Sequence, residues 1–264
     1  RRAAMTGVPV LLYHSVVASR SADDDEFTVT RDELVAQLSA LAGSGHTWVP
    51  FDEIVRSLTD GTPLPPRAAA VTFDDGYADA HEVALPILER HGVPATVYVT
   101  TGLLARQFAG RPMLDALALR DLRDRGVALG SHGVDHVALD LLGAPALRRQ
   151  VVDSRHALED LLQRSVDGFA YPHGYHGPAV VAAVRAAGYR HAAAVKNALT
   201  HSGDDPFGVA RITVTAGLGA DGLLSRLASA PLSWPGERLR TRGWRAWRRA
   251  RVRLDPRPSA GAGA

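Results

Sequence analysis

Cysteine is absent from this chain of 264 residues, lysine occurs only at Lys196, and no run of eighteen apolar residues exists. Without cysteine there are no disulfides and no thiolate metal ligands, a composition compatible with any redox compartment. Without a long apolar run no helix can span a bilayer. No secretory leader is visible. Met5, just before the first apolar run, reads as a start and favours a cytoplasmic or membrane-peripheral place, whereas a removed leader means an extracytoplasmic one. The net charge of +2 is unevenly spread, because from Glu237 onward nine arginines face two acids, leaving 21 basic against 26 acidic residues before them. The body of the chain is therefore mildly acidic and gives no ground for a nucleic-acid partner.

What is present is enough apolar sequence, 46%, for one barrel-sized core. Apolar runs near residues 8–13, 68–73, 95–99, 127–129, 168–170, 192–195 and 209–214 read as strands. Between them, helical patterns are expected near 78–91, 117–125, 144–163, 178–187 and 221–228, and Gly92, Gly126 and Gly188 each stop a helix just before the next apolar run. Earlier, Thr30 to Glu33 has the spacing of a capping box for a helix carrying Leu34, Leu38 and Leu41. Strand, helix, glycine, strand is the rhythm of parallel strands joined by crossover helices, as a barrel or as an open sheet. The polar stretch 19–25 is too hydrophilic for a core and is placed to overhang a site.

The chemistry concentrates where apolar runs end. Val71-Thr72-Phe73 runs into Asp74-Asp75-Gly76, and adjacent acids leaving a strand point in different directions, so one can serve a cation and one a water. They could also simply cap the next helix. Downstream, Gly130-Ser131 leads into His132 and His136, whose spacing of four puts both imidazoles on one side of a helical turn. With a carboxylate from a neighbouring strand end they make a His-His-Asp set for a divalent metal. Alternatively they are two surface histidines on a loop.

Thr72-Phe73-Asp74-Asp75-Gly76, the histidine pair, and Phe169-Ala170-Tyr171-Pro172-His173-Gly174 together resemble the first three motifs of the polysaccharide deacetylases, carbohydrate esterase family four. The similarity runs in order from about Val8 to Val214. It implies an α/β fold, a distorted (β/α) barrel with about seven parallel strands over residues 8–230, followed by a basic tail, 231–264. It implies a metal-dependent hydrolase that removes acetyl from N-acetylated amino sugars of a glycan or its precursor. The metal would be zinc in the first instance, with cobalt, nickel or manganese as alternatives, held by Asp75, His132 and His136. Asp74 would then be the general base, and the backbone N–H after the third-motif proline, that of His173, an oxyanion donor.

Two departures from the family pattern bear on catalysis. The arginine expected two residues before Pro172 is replaced by Ala170; Lys196 or Arg211, each following a late strand, could support Asp74 in its place, with Arg211 preferred, and each could instead be a surface charge or part of a structural ion pair. The general acid, a histidine in a Leu-x-His segment, could be His201 or His14. Val10-Leu11-Leu12-Tyr13-His14 is similar to the opening strand of the circularly permuted poly-N-acetylglucosamine deacetylases, and a strand end is the better platform, so His14 is assigned. Tyr171, His173 and Tyr175 are expected to line the sugar pocket, with packing residues as the alternative reading. His46, His81, His91, His156, His176 and His191 are expected on the surface.

The tail interleaves Leu239, Trp244, Trp247 and Leu254 with arginines, suiting either a helix packed on the barrel or peripheral contact with an anionic membrane. Membrane contact would favour a deformylase or deacetylase of a lipid-linked sugar. A catalytically silent barrel that only binds carbohydrate is the third reading.

Overall fold

The structure is a computed structural model and describes residues 7–232; the tail with its tryptophans lies outside the described residues. In chain order the elements are β1 (Val10–Tyr13), β2 (Ser15–Val17), β3 (Thr28–Thr30), α1 (Arg31–Gly43), β4 (Thr47–Trp48), α2 (Phe51–Thr59), β5 (Ala68–Phe73), α3 (Leu85–His91) and β6 (Ala95–Val99). A short hairpin follows, β7 (Gln107–Phe108) and β8 (Arg111–Pro112). Then come α4 (Ala116–Asp124), β9 (Ala128–Ser131), α5 (Ala144–Leu162), β10 (Gly168–Ala170), α6 (Pro178–Ala186), β11 (His191–Ala193), β12 (Ile212–Thr213) and α7 (Ala220–Ser229).

Seven parallel strands form the sheet in the order β11-β10-β9-β6-β5-β1-β12, with β4 paired to the start of β5. Just ahead of β12, Val209 bridges in parallel to Ala193 of β11, so the two ends of the sheet meet and the distorted barrel is drawn together. The order explains the chain's punctuation. Parallel neighbours need crossovers, and the capping box at Thr30 and the left-handed Gly92 start and stop two of the crossover helices. The helix expected over 78–91 is not uniform. Pro86 has no N–H to donate, and the turn ahead of it widens to a π-helix over Ala80–Ala84.

Alternation along the strands separates two cores. Leu11, Tyr13, Val71, Phe73, Val97, Val99 and Phe169 pack outward against helices. Val10, Ala68, Ala70, Tyr98, Ala170, Ala193 and Val209 pack inside, with Phe51, Ile54 and Val55 of α2 closing the amino end. Tyr98 crosses this narrow interior, and a Cβ on Gly130 would lie 2.5 Å from its ring, so β9 can pass only as glycine. Continuing the inward row beyond Ala70 gives Thr72 and then Asp74; continuing from Val10 gives Leu12 and then His14. The chemistry-bearing residues therefore leave the strands at their carboxyl ends, on the inward side.

Candidate active site

β1 and β5 run in register, Tyr13 against Phe73, and the Asp74 N–H donates to the Tyr13 carbonyl at 3.0 Å, which sets His14 and Asp74 side by side. From β9, the His132 N–H donates to the Val99 carbonyl at 2.8 Å, bringing the histidine segment to the same end. Asp75 adopts φ 70° and His136 φ 52°, left-handed conformations that β-carbon residues avoid and that turn both side chains back toward the barrel mouth.

The three side chains proposed as ligands come together. Ligand atoms of Asp75, His132 and His136 all lie within 4.8 Å of one another. Asp75 Oδ1 stands 3.3 Å from His132 Nε2 and 3.1 Å from His136 Nε2. It is buried, with no hydrogen-bond partner of ordinary geometry. Two nitrogens and an oxygen at these separations suit a shared cation, since donors ~2.0–2.2 Å from a tetrahedral zinc lie ~3.3–3.5 Å apart. His132 Nδ1 donates to the Ala170 carbonyl at 2.9 Å, which leaves Nε2 as the unprotonated, ligating nitrogen. The residues present therefore fit a divalent metal. Burial opposes the charge of Asp75, but the two histidines outweigh it and hold its pKa well below the ordinary value. Burial likewise opposes charge on His136, but the Asp75 carboxylate outweighs it and raises the imidazole's pKa.

Asp74 lies off this cluster. Arg211 Nη1 and Nη2 donate to its two oxygens at 2.6 and 2.7 Å, while its Oδ2 faces His132 Nε2 at 3.9 Å. Arg211 occupies the inward row above Tyr98 and is fully buried, held also by Thr72 Oγ1 at 3.2 Å and the Ala194 carbonyl at 3.2 Å. Burial would raise the Asp74 pKa; Arg211 and His132 reverse this and lower it. Lys196, the other candidate for that support, instead lies 3.8 Å from Asp204.

His14 is partly exposed beside Phe27, ring centroids 4.9 Å apart. Burial lowers its pKa, although Asp75 and Asp74 both favour its charged form. His201 is elsewhere. Its neighbour Thr200 pairs with Val8 at the amino end of β1, ~20 Å of extended strand from His14.

The aromatic residues expected to face sugar divide. His173 stands at the rim, its ring 4.5 Å from that of His136, with Tyr175 half-buried 6.1 Å beyond. Tyr171 does not face the site: it is fully buried, donates from its hydroxyl to the Phe207 carbonyl at 2.9 Å, and stacks on His176. It is a packing residue, because β10 ends at Ala170 and the next side chain falls on the helix side. His191 is also corrected, being buried at the start of β11 against Phe51. Residues that sequence reasoning missed include Phe108 on the β7–β8 hairpin, whose ring is 5.3 Å from His136 and 6.2 Å from Tyr77. Arg111 on the same hairpin pairs with Asp24 of the overhanging loop. Neither carries a local signal beyond being aromatic or charged.

With this geometry in hand, comparison with known proteins decides the family. A polysaccharide deacetylase family model matches residues 61–192, half of the chain. The chain belongs to the polysaccharide deacetylase family. Over 211 residues it is 22% identical to YxkH of Bacillus subtilis (strain 168), whose name places it among polysaccharide deacetylases, covering 80% of this chain and 72% of that one. Over 89 residues it is 32% identical to the poly-beta-1,6-N-acetyl-D-glucosamine N-deacetylase of Escherichia coli (strain K12), a stretch of 34% of this chain and only 13% of that longer protein. In fold it is similar to the Streptococcus pyogenes deacetylase PplD, with TM-score 0.77, 22% identity and coverage of 84% of this chain and 99% of that one. It is similar also to IcaB from Ammonifex degensii, with TM-score 0.72, 23% identity and coverage of 84% and 97%. The polysaccharide deacetylase barrel thus accounts for the sheet and for the mouth at which Asp74, Asp75, His132 and His136 meet.

Proposed function

We propose that this chain is a metal-dependent N-deacetylase that removes acetyl groups from N-acetylated amino sugars of a polysaccharide or glycan precursor. The observation that carries the reading is the division of labour between adjacent acids. Asp75 shares one small volume with two Nε2 atoms, whereas Asp74 is turned to Arg211 and keeps one oxygen facing the cluster.

Asp75, His132 and His136 would hold a divalent cation, zinc in the first instance, which would supply Lewis acidity and lower the pKa of a nearby water toward about 7. The chain's own groups do the rest. Asp74 takes the proton of the attacking water; pairing with Arg211 keeps it ionised and fixes its direction, at the cost of some basicity. His14, on the neighbouring strand end, gives a proton to the sugar nitrogen as the carbon–nitrogen bond breaks. It acts in its protonated form, which burial disfavours and the neighbouring carboxylates of Asp75 and Asp74 favour. The His173 N–H is the candidate oxyanion donor at the rim. Phe27, Phe108, His173 and Tyr175 offer ring faces around the mouth for the apolar faces of sugars.

The test is acetate release from N-acetylglucosamine oligomers and a partially acetylated polymer, by protein stripped with chelator and then given zinc or cobalt. Release that vanishes on stripping and returns with metal is the expected result. Metal-loaded protein that frees no acetate from any of these overturns the reading in favour of a barrel that only binds carbohydrate.

A further inference from the structure

The segment Gly133–Asp135 joins the two histidines, and its backbone groups are satisfied from three directions. The Gly133 N–H donates to Ser131 Oγ at 3.1 Å, and the carbonyls of Gly133 and Val134 accept from Thr101 and Gly102 N–H at 3.0 and 2.8 Å. Gly102 must be glycine for this approach, since a Cβ there would lie 2.6 Å from the Val134 oxygen. The remaining two donors, Val134 and Asp135 N–H, converge on one atom, Gln150 Oε1, at 2.9 and 3.0 Å. Gln150 comes from α5, is buried, and donates from Nε2 to Asp135 Oδ2 at 2.7 Å, which keeps its oxygen turned to the loop. One turn on, Ser154 is buried too and accepts from Ser131 Oγ at 2.8 Å. α5 otherwise turns Leu147, Val151 and Leu158 to the core, so a polar pair at this spacing interrupts an apolar face directly under the histidine segment.

We propose that Gln150 is a positioning residue for the candidate metal ligands. By gathering two successive N–H groups on one oxygen it fixes the bend between His132 and His136, and so sets the separation of their Nε2 atoms. The proposal rests on the reading of Asp75, His132 and His136 as a metal site. Val134 is only partly buried and Asp135 is exposed, so water can replace the lost acceptor. Removing Gln150 should therefore loosen the ligand set more than it destabilises the fold.

The experiment measures cobalt affinity by competition with a chromophoric chelator, and thermal unfolding of the metal-free protein, for the wild type, Gln150→Met and Gln150→Glu combined with Asp135→Asn. Gln150→Met should bind cobalt about 10- to 100-fold more weakly, the range for loss of a group that orients metal ligands, with the metal-free melting temperature little changed. Gln150→Glu, combined with Asp135→Asn so that an amide N–H and not a carboxylate faces its second oxygen, retains an acceptor oxygen for the loop and should recover most of that affinity. If Gln150→Met does not fold, Gln150→Ser, which admits water, takes its place with the same expectation. Wild-type affinity in a folded variant without the acceptor overturns the positioning role while leaving the metal site intact. Wild-type protein that binds no cobalt removes the metal site itself, and the proposal with it.

Discussion

Asp74 and Arg211, 137 residues apart in sequence, form a two-pronged ion pair inside the barrel, both N–H···O contacts under 2.8 Å and both side chains out of reach of solvent. Each charge makes the other tolerable. Replacing Arg211 by methionine leaves a buried carboxylate uncompensated, for which the expected loss of stability is about 3–5 kcal/mol. Adding Asp74→Asn removes that charge, so the double variant should be more stable than Arg211→Met alone. A urea-unfolding double-mutant cycle on metal-free protein measures this coupling. Simple additivity would mean that the pair contributes nothing beyond its separate members.

The two adjacent acids should separate cleanly by readout. Asp74→Asn keeps all three proposed ligands and should retain metal at wild-type stoichiometry, with turnover lower by about 10²–10⁴, the usual contribution of a general base. Asp75→Asn should lose metal and activity together. Metal content by elemental analysis, set beside acetate release, checks both. The opposite pattern would exchange the roles of Asp74 and Asp75.

How far this site could be read in advance depended on where the determinants lie in the chain. Asp74 and His14 follow an apolar run directly, and Asp75 and His132 come within three residues of one, so the local pattern already put them at strand ends, and parallel topology gathers such ends. Arg211 was a choice between two cations near late strands, and only the inward row of Val209 and Arg211 above Tyr98 separates it from Lys196. Tyr171 and His191 were misplaced because facing depends on which side of the sheet a residue falls at the strand's end, and a one-residue difference reverses it. Gln150 was invisible. A glutamine in the middle of a helix reads as surface until the helix is docked and the loop above it presents two N–H groups.

Asp79 supplies a pH signature outside the proposed ligand set. Burial raises its pKa to about 6, against the downward pull of the Ser15 hydroxyl, the Val16 N–H and Arg111. The folded state thus holds this proton more tightly than the unfolded chain, where an aspartate titrates near ~3.9. The contribution is fully present at low pH and is lost as pH rises between about 4 and about 6. Asp79→Asn keeps an acceptor for Ser15 and has no proton to lose. Its stability relative to wild type should be near zero around pH 4 and grow to about 2–3 kcal/mol by pH 7. Urea unfolding of the metal-free proteins across this range checks it, and a difference independent of pH would show that Asp79 titrates normally.

His14 can be tested as the proton donor through the leaving group. An amine leaves only if its nitrogen is protonated, whereas a phenolate of low pKa leaves unaided. His14→Gln preserves much of the side chain's volume beside Phe27 and cannot supply a proton. Release of acetate from an N-acetylated sugar should fall by about 10²–10⁴, while hydrolysis of an aryl acetate by the same preparation should fall far less. His201→Gln, whose neighbour Thr200 pairs with Val8 at the amino end of the barrel, should leave both rates near wild type. Equal losses on the two substrates in His14→Gln would mean that His14 orients the site or the substrate, and the proton must then come from another group.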